Sequence, residues 1–504
     1  DTQTAGVAGT DPLATASQGK QQHTSKDVAL DAAVALNITN DVIRSYIGKN
    51  TRITTTGDND VQVSVDGTED YVNVHVSASR TGTTATKSSA FAAGTSTAVG
   101  ASAAINIVNA RVENAMLGQI QSAGDVYIGT FTFNQDNSEA LATAMGADMD
   151  RYLNKVAKGV QSTEDSANKL MAGDYFSSNT GSKPQNQTQQ NANAALDQNA
   201  NGGQTSANAS LSSNALRTQN AQGADSSAAS GTANNGVGQA NSTGAQKLPN
   251  VNPTGAQKFQ VAAAVGLNIT NHKATTTVAG NVSGANVRIF STNHGNFKTL
   301  GTGMAMSQAR NANSIAAAVA ISVDGNEAIT VVSGNITAKK TDESETTLGD
   351  VQIGSDLTQN MDGAYKGLLA AQALAGAVSG EGKTSIAGSL AIVVDNAKSK
   401  VTLALLDGNG NDIATKSNNI RIEGGNIRIF ATDKTKLAIR AGGVSLSKGS
   451  KAGVGAAFGL VYGNDQVTVK IGNYTDIRGE SLEITANKLR VDRSDFESAI
   501  QAGT

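Results

Sequence analysis

Apolar and polar positions alternate along most of the chain in bursts of four to seven residues. Val61, Val63 and Val65 alternate with polar neighbours, and so do Val72, Val74 and Val76. A period of two marks a strand with one face buried. Clusters of Gly, Asn, Asp and Ser separate the bursts, so the chain reads as many strands joined by turns. The Ala/Gly-rich runs at 90–104 and 316–320 are ambiguous on propensity, because Ala is the best helix former. Ser, Thr and Gly interrupt nearly every such run, which favours flat strands of small side chains.

The bursts recur as two phrases. One is a run of small residues entering an apolar strand: AVALNITN from Ala33, AAINIVN from Ala103, AVGLNITN from Ala264, AVAISVDGN from Ala318, SLAIVVDN from Ser389 and AFGLVYGN from Ala457. Asn stands at the turn in five copies, as Asn40, Asn109, Asn271, Asn396 and Asn464, and the other has Gly325 there with Asn326 next. Asn and Gly tolerate positive φ, so a turn of left-handed geometry is expected there. The second phrase is a V-x-I strand: Val61/Val63, Val126/Ile128, Val287/Ile289, Val351/Ile353, Ile427/Ile429 and Leu482/Ile484. Its copies start 65, 161, 64, 76 and 55 residues apart. Four intervals describe a unit of 55–76 residues, divisible into two sub-repeats of roughly 30, each the size of one turn of a parallel β-helix.

The 161-residue interval holds an insert. Met149, Leu153, Val156, Val160, Ala167, Leu170 and Met171 follow helical spacing with charged residues between them. Residues 177–252 are rich in Gln, Asn, Ala and Ser and too poor in large apolar residues to offset the entropy of ordering. TGAQK occurs from Thr243 and again from Thr254. The expected organisation is therefore a β-solenoid over 1–147 with a partial first repeat, a helical then low-complexity insert over 148–258, and a continuing solenoid over 259–504. The insert reads as a tolerated surface excursion, with a recognition or self-association element as the alternative.

Composition narrows the function classes. Of 504 residues, 38% are hydrophobic, 4% aromatic and 16% charged, with 54 Gly, no Cys and no Trp. No Cys means no disulfide scaffold, thiolate nucleophile or Cys-based zinc site. A net charge of −3 leaves no long basic stripe for nucleic acid. No apolar run is long enough for a membrane-spanning helix. Small, β-branched and amide residues dominate, which suits thin layers stacked repeatedly. The first 26 residues have neither a basic nor an apolar targeting region and no Met, so a piece of a longer secreted protein is expected.

The search for chemistry yields little. His23, His75, His272 and His294 are too far apart in sequence for a metal pair and are expected to face solvent. No G-x-S-x-G, H-E-x-x-H or P-loop is present. Asp407 to Asp412 (DGNGND) starts like a calcium loop. Asp412 and Asn418, however, stand where Gly and Glu are required, so a β-turn is expected. The acidic turn from Asp66 to Asp70 reads the same way. Asp342, Glu343 and Glu345 lie in a Thr/Ser-rich stretch that reads as a loop. Thr54–56 and Thr275–277 are explained by strand propensity. The sequence therefore assigns no catalytic, cofactor-binding or metal-binding residue.

The phrase of small residues, V-x-L-N-I-T-N, a strand, a Gly-containing turn and D-V-x-I resembles the passenger repeats of large secreted bacterial filamentous adhesins of the leukotoxin type. Leu36-Asn37-Ile38 with Asn40, Leu267-Asn268-Ile269 with Asn271, and the pairs Asp125-Val126 and Asp350-Val351 carry it, over residues 28–145 and 259–487. The resemblance implies export by a type V route, display on or release from the bacterial surface, and contacts with host cells. The expected fold is all-β, a right-handed parallel β-helix of about 12 turns with one insert. The expected role is a non-enzymatic stalk segment of an adhesin, with no cofactor, binding the host cell surface or other copies of itself. It neither contacts nucleic acid nor inserts into a membrane. A cell-binding cytotoxin, a carbohydrate-active β-helix enzyme and a self-assembling matrix fibre are the alternatives.

Overall fold

The computed structural model describes residues 28–146 and 258–503, apart from short breaks at 66–67, 95, 308–311, 343–344, 361–369, 380–383, 408 and 449–451. The helix expected at 149–171 and the low-complexity stretch at 177–252 lie outside the described residues, as does His23.

Every regular element among the described residues is a strand, and nearly all pairing is parallel. Three sheets share the work. Sheet 1 stacks Val28–Ile47, Thr97–Met116, Phe259–Val278, Asn313–Asp324 with Glu327–Val332, Thr384–Asp395 with Lys398–Leu403, and Ala452–Gly463 with Gln466–Ile471. Sheet 2 is short and stacks Arg52–Thr55, Gln119–Ser122, Val282–Gly284, Ile336–Asp342, Arg421–Glu423 and Asp476–Arg478. Sheet 3 stacks Val74–Gly94, Val126–Gly146, Val287–Met306, Val351–Gln359 with Ala371–Ser379, Asn426–Lys448, and Ser481–Gly503. The chain visits sheets 1, 2 and 3 in that order six times. This all-β, parallel arrangement is compatible with a β-helix.

The second phrase lands in register. Val126 pairs with Val287, Val287 with Val351, Val351 with Ile427 and Ile427 with Leu482. Its first copy is different. Val74, not Val61, pairs with Val126. Val61 instead faces Val72 across an antiparallel hairpin, Val61–Val65 with Thr68–Val72. Alternation alone could not separate the two, because both bursts have the same period. Each strand pairs with the strand one whole unit away, not with a neighbour 30 residues on.

The Ala/Gly-rich runs are strands, as their interruptions suggested. They lie where sheets 1 and 3 face each other, and the packing there is unusually thin. The buried cluster on this side is built mostly of Ala, including Ala98, Ala104, Ala262, Ala316, Ala373 and Ala387. A Cβ at Gly301 would overlap the carbonyl of Val319 in the facing sheet, and one at Gly443 would overlap that of Ala456. Towards sheet 2 the interior widens and takes Val, Ile, Leu and Met, including Met116, Ile128, Ile289, Ile353, Leu403 and Ile429. The cross-section is thus a wedge, thin where two long sheets meet and thick where the short sheet closes them.

The asparagines ending the first phrase do not form left-handed turns. Asn40, Asn109 and Asn271 lie inside continuous strands. Among described non-Gly residues only Asn360 and Tyr474 have positive φ. Asn40, Asn109 and Asn271 form a side-chain ladder instead, described below.

Replacing Gly301 by Val is expected to destabilise the chain by about 1–3 kcal/mol, because the facing backbone cannot yield. Gly388→Ala, at an outward site with nothing within 4 Å, is expected to be neutral or to stabilise by up to ~1 kcal/mol. Urea unfolding of the two variants checks the contrast.

Candidate functional site

The thin interior is filled mostly by Ala, and the large aliphatics of the first phrase point the other way. In sheet 1 the inward positions of Thr97–Met116 are Ala98, Gly100, Ser102, Ala104 and Asn106, while Val99, Ile105 and Ile107 face out. Parallel register aligns the outward residues into columns. Leu36, Ile105, Leu267, Ile321, Ile392 and Leu460 form one column across all six strands. Ile38, Ile107, Ile269, Val323, Val394 and Tyr462 form the next. Val34, Ala103, Val265, Val319, Leu390 and Phe458 flank them on the other side. The result is an outward aliphatic plate six strands wide.

An asparagine seam borders the plate. Asn109 Nδ2 donates to Asn40 Oδ1 at 2.9 Å, and Asn271 Nδ2 to Asn109 Oδ1 at 3.5 Å. Equal spacing of parallel strands puts each amide one step from the next, so donor and acceptor repeat along the stack. The other asparagine of the phrase, an odd number of residues earlier, points inward and forms a second ladder. Asn37 Nδ2 donates to Asn106 Oδ1 at 2.7 Å, and Asn106 Nδ2 to Asn268 Oδ1 at 3.0 Å.

Beyond the seam lies a strip of both charges. Arg44 meets Glu113 at 2.6 Å, and Glu327 is held between Lys273 at 3.2 Å and Lys398 at 3.0 Å. Asn40, Asn109, Asn271, Arg111, Lys273, Thr275 and Glu327 line an open groove of about 520 Å³ here. Its walls offer amides and paired charges beside the apolar Val42, Ala110 and Ile329.

The interior holds polar groups that the sequence reading missed. At matching positions in successive strands, Asn114, Thr276 and Thr330 each donate to a carbonyl of sheet 3, those of Gly129, Phe290 and Gly354, at 2.6–3.0 Å. His272, expected to face solvent, is 1% exposed and bonds through Nε2 to Asp136 Oδ2 at 2.6 Å. Strand parity puts it on the inner face beside Thr270. His294 is half-buried, 3.4 Å from Asp356, while His75 is exposed against Tyr127 as its alternation predicts.

A buried acidic cluster lies on the inner side near the seam. Asp324 and Asp395 are paired neighbours in sheet 1, and Asp433 faces them from sheet 3. Thr270 Oγ1 donates to Asp324 Oδ1 at 2.7 Å, and Gln359 donates to Oδ2. Arg490 lies 2.6 Å from Asp465 and 3.4 Å from Asp395, and Lys488 pairs with Asp465. Burial pushes Asp324 up to about 7. Burial, then the neighbouring carboxylates, push Asp395 up to about 10. Burial would raise Asp465 too, but its hydrogen bond from Lys488 brings it below the usual carboxylate range. The cluster is a structural tie between sheets. Among the described residues no group of three or more His, Cys, Asp or Glu is placed to hold a metal ion.

The DGNGND segment is a turn bonded to itself. Asp407 Oδ1 accepts the amides of Asn409 and Asn411, both at 2.8 Å, and Gly410 has φ of 80°. Asp70 of the other acidic turn pairs with Arg288 and so ties its hairpin to sheet 3. Asp342 pairs with Glu345 across a second antiparallel hairpin, in place of the expected loop. The chain matches no protein-family model, no curated protein and no solved structure.

Asp324 sets a pH dependence. Its folded-state pKa is raised, so between the ordinary carboxylate value and about 7 the native chain holds a proton that the unfolded chain releases. Its contribution is complete below that window and is lost as pH rises through it. Asp324→Asn removes this loss. The stability of the variant relative to the parent is therefore expected to rise between pH 4 and pH 8, by up to about 4 kcal/mol. Urea unfolding across that range checks the slope.

Proposed function

We propose that the chain is a structural segment of a large secreted bacterial adhesin or filament, displayed on the cell surface or released from it. Its fold in this reading is a right-handed parallel β-solenoid in which each 1–2–3 succession of sheets is one coil. The handedness follows the general rule for parallel crossovers. The coils then number six, in place of about 12, because a coil consumes the whole unit. The observation that carries the reading is the repetition of the same three-sheet path in register through every described unit. Such a path builds a support, and its exposed features are a flat face, a seam and a mixed-charge strip. The chain acts without turnover or cofactor, by distributed weak contacts with a host cell surface or with its own kind. It has no role on nucleic acid and does not insert into a membrane.

Geometry refines what such a segment contributes. Six coils advance only about 24 Å between the first and last strands, at ~4.8 Å per step. Strands of 20 residues, such as Thr97–Met116, run about 66 Å across. The segment therefore offers breadth of contact more than reach.

Fluorescently labelled chain is expected to bind cultured host cells saturably. Charge reversal in the groove by Arg111→Glu with Lys273→Glu is expected to weaken that binding about tenfold, with unchanged circular dichroism. Parent chain that binds no host cell overturns the adhesive reading.

A further inference from the structure

We infer that the aliphatic plate on sheet 1 is a docking face for a second copy of this chain, the two plates packing face to face. The plate spans nine residues of strand length, from Val99 to Ile107, and six strands in width. At ~3.3 Å per residue and ~4.8 Å per strand this is on the order of 700 Å². The largest apolar patch of a typical monomer is ~300–600 Å². Two such faces together cover about 1,400 Å², within the range of a stable, specific interface.

Three features select a second copy over other occupants. The plate is lined with Val, Ile and Leu aligned in columns by the register, the surface that a like sheet packs against at the ~10 Å spacing of a β-sandwich. Its bordering strip carries both signs of charge, with Glu327 between Lys273 and Lys398, so a copy turned by a two-fold presents complementary charge. An anionic lipid surface would instead call for a basic border, and a membrane interface for Trp and Tyr around the rim. The chain has no Trp, and of the three central columns only the outermost strand adds rings, Phe458 and Tyr462.

A two-fold through the plate centre brings Val265, which is 39% exposed, close to its own copy. The absence of Cys makes this directly testable. Val265→Cys in the full chain is expected to cross-link into a covalent dimer with a short bismaleimide, and Lys434→Cys on the exposed side of sheet 3 is expected to remain monomeric. In sedimentation velocity the parent is expected to be dimeric at micromolar concentration. Leu267→Lys with Ile321→Lys is expected to weaken self-association on the order of a hundredfold while circular dichroism stays β-rich.

A parent that sediments as a monomer at 50 μM overturns the proposal. So do equal cross-linking at both cysteines and a dimer that survives the double substitution, the latter meaning that copies join by strand edges. A monomeric parent that floats with phosphatidylcholine vesicles assigns the plate to lipid instead. A monomeric parent whose Val265→Cys variant resists maleimide assigns it to cover by this same chain. Should the double-lysine variant misfold, the cross-linking pair alone decides. The inference does not depend on the adhesive role, which cell binding tests separately.

Discussion

The close approach of the two long sheets governs the rest of the structure. With a carbonyl of Val319 where a side chain at Gly301 would need to be, the space between sheets is filled mostly by Ala, with a few larger side chains such as Phe297, Leu437 and Ile439. Dispersion and apolar burial per residue are correspondingly small, since an Ala removes far less surface from water than a Val or Ile. What the interior lacks in apolar volume it makes up in hydrogen bonds. The Asn114, Thr276 and Thr330 bridges close sheet 1 onto sheet 3 at one level after another. Each would be costly if left unmade in such a dry space. The thick end, with its Ile and Val columns, supplies the conventional part of the core.

The same constraint inverts the usual meaning of amphipathic strands. In most half-buried sheets the apolar face is the inner one. In sheet 1 the aliphatic residues of L-N-I face out, and the alanines and one asparagine face in. A repeat can carry two asparagines that serve opposite faces, because they stand three positions apart, an odd offset, and side-chain direction has period two. Asn268 stabilises the interior and Asn271 the outer seam.

This inversion is where reading from sequence reached its limit. Strand content, the two phrases and most of their alignment were legible, because period-two alternation and repeat spacing are local. The choice of Val61 over Val74 as a phrase copy was not resolvable, since the hairpin that removes Val61 from the stack obeys the same alternation. The burial of His272 depended on which face of Phe259–Val278 is inner, and that is settled by the partner sheet. Taking Asn and Gly as turn formers missed the ladder, because a ladder exists only once copies are stacked. The groove and the acidic cluster draw on strands from several units, and no window of sequence contains them.

Positions 146 and 258 are 112 residues apart in sequence, yet Thr97 still pairs with Phe259 and Val126 with Val287 without a slip. Register is thus set by the meeting strands and not by the length of chain between them. In evolutionary terms each unit is a cassette. Duplication or loss of one by unequal recombination would join identical surfaces, preserving the interior bridges, the seam and the plate together. Variation in the length of such a gene would then change the number of stacked units without having to reinvent any of them.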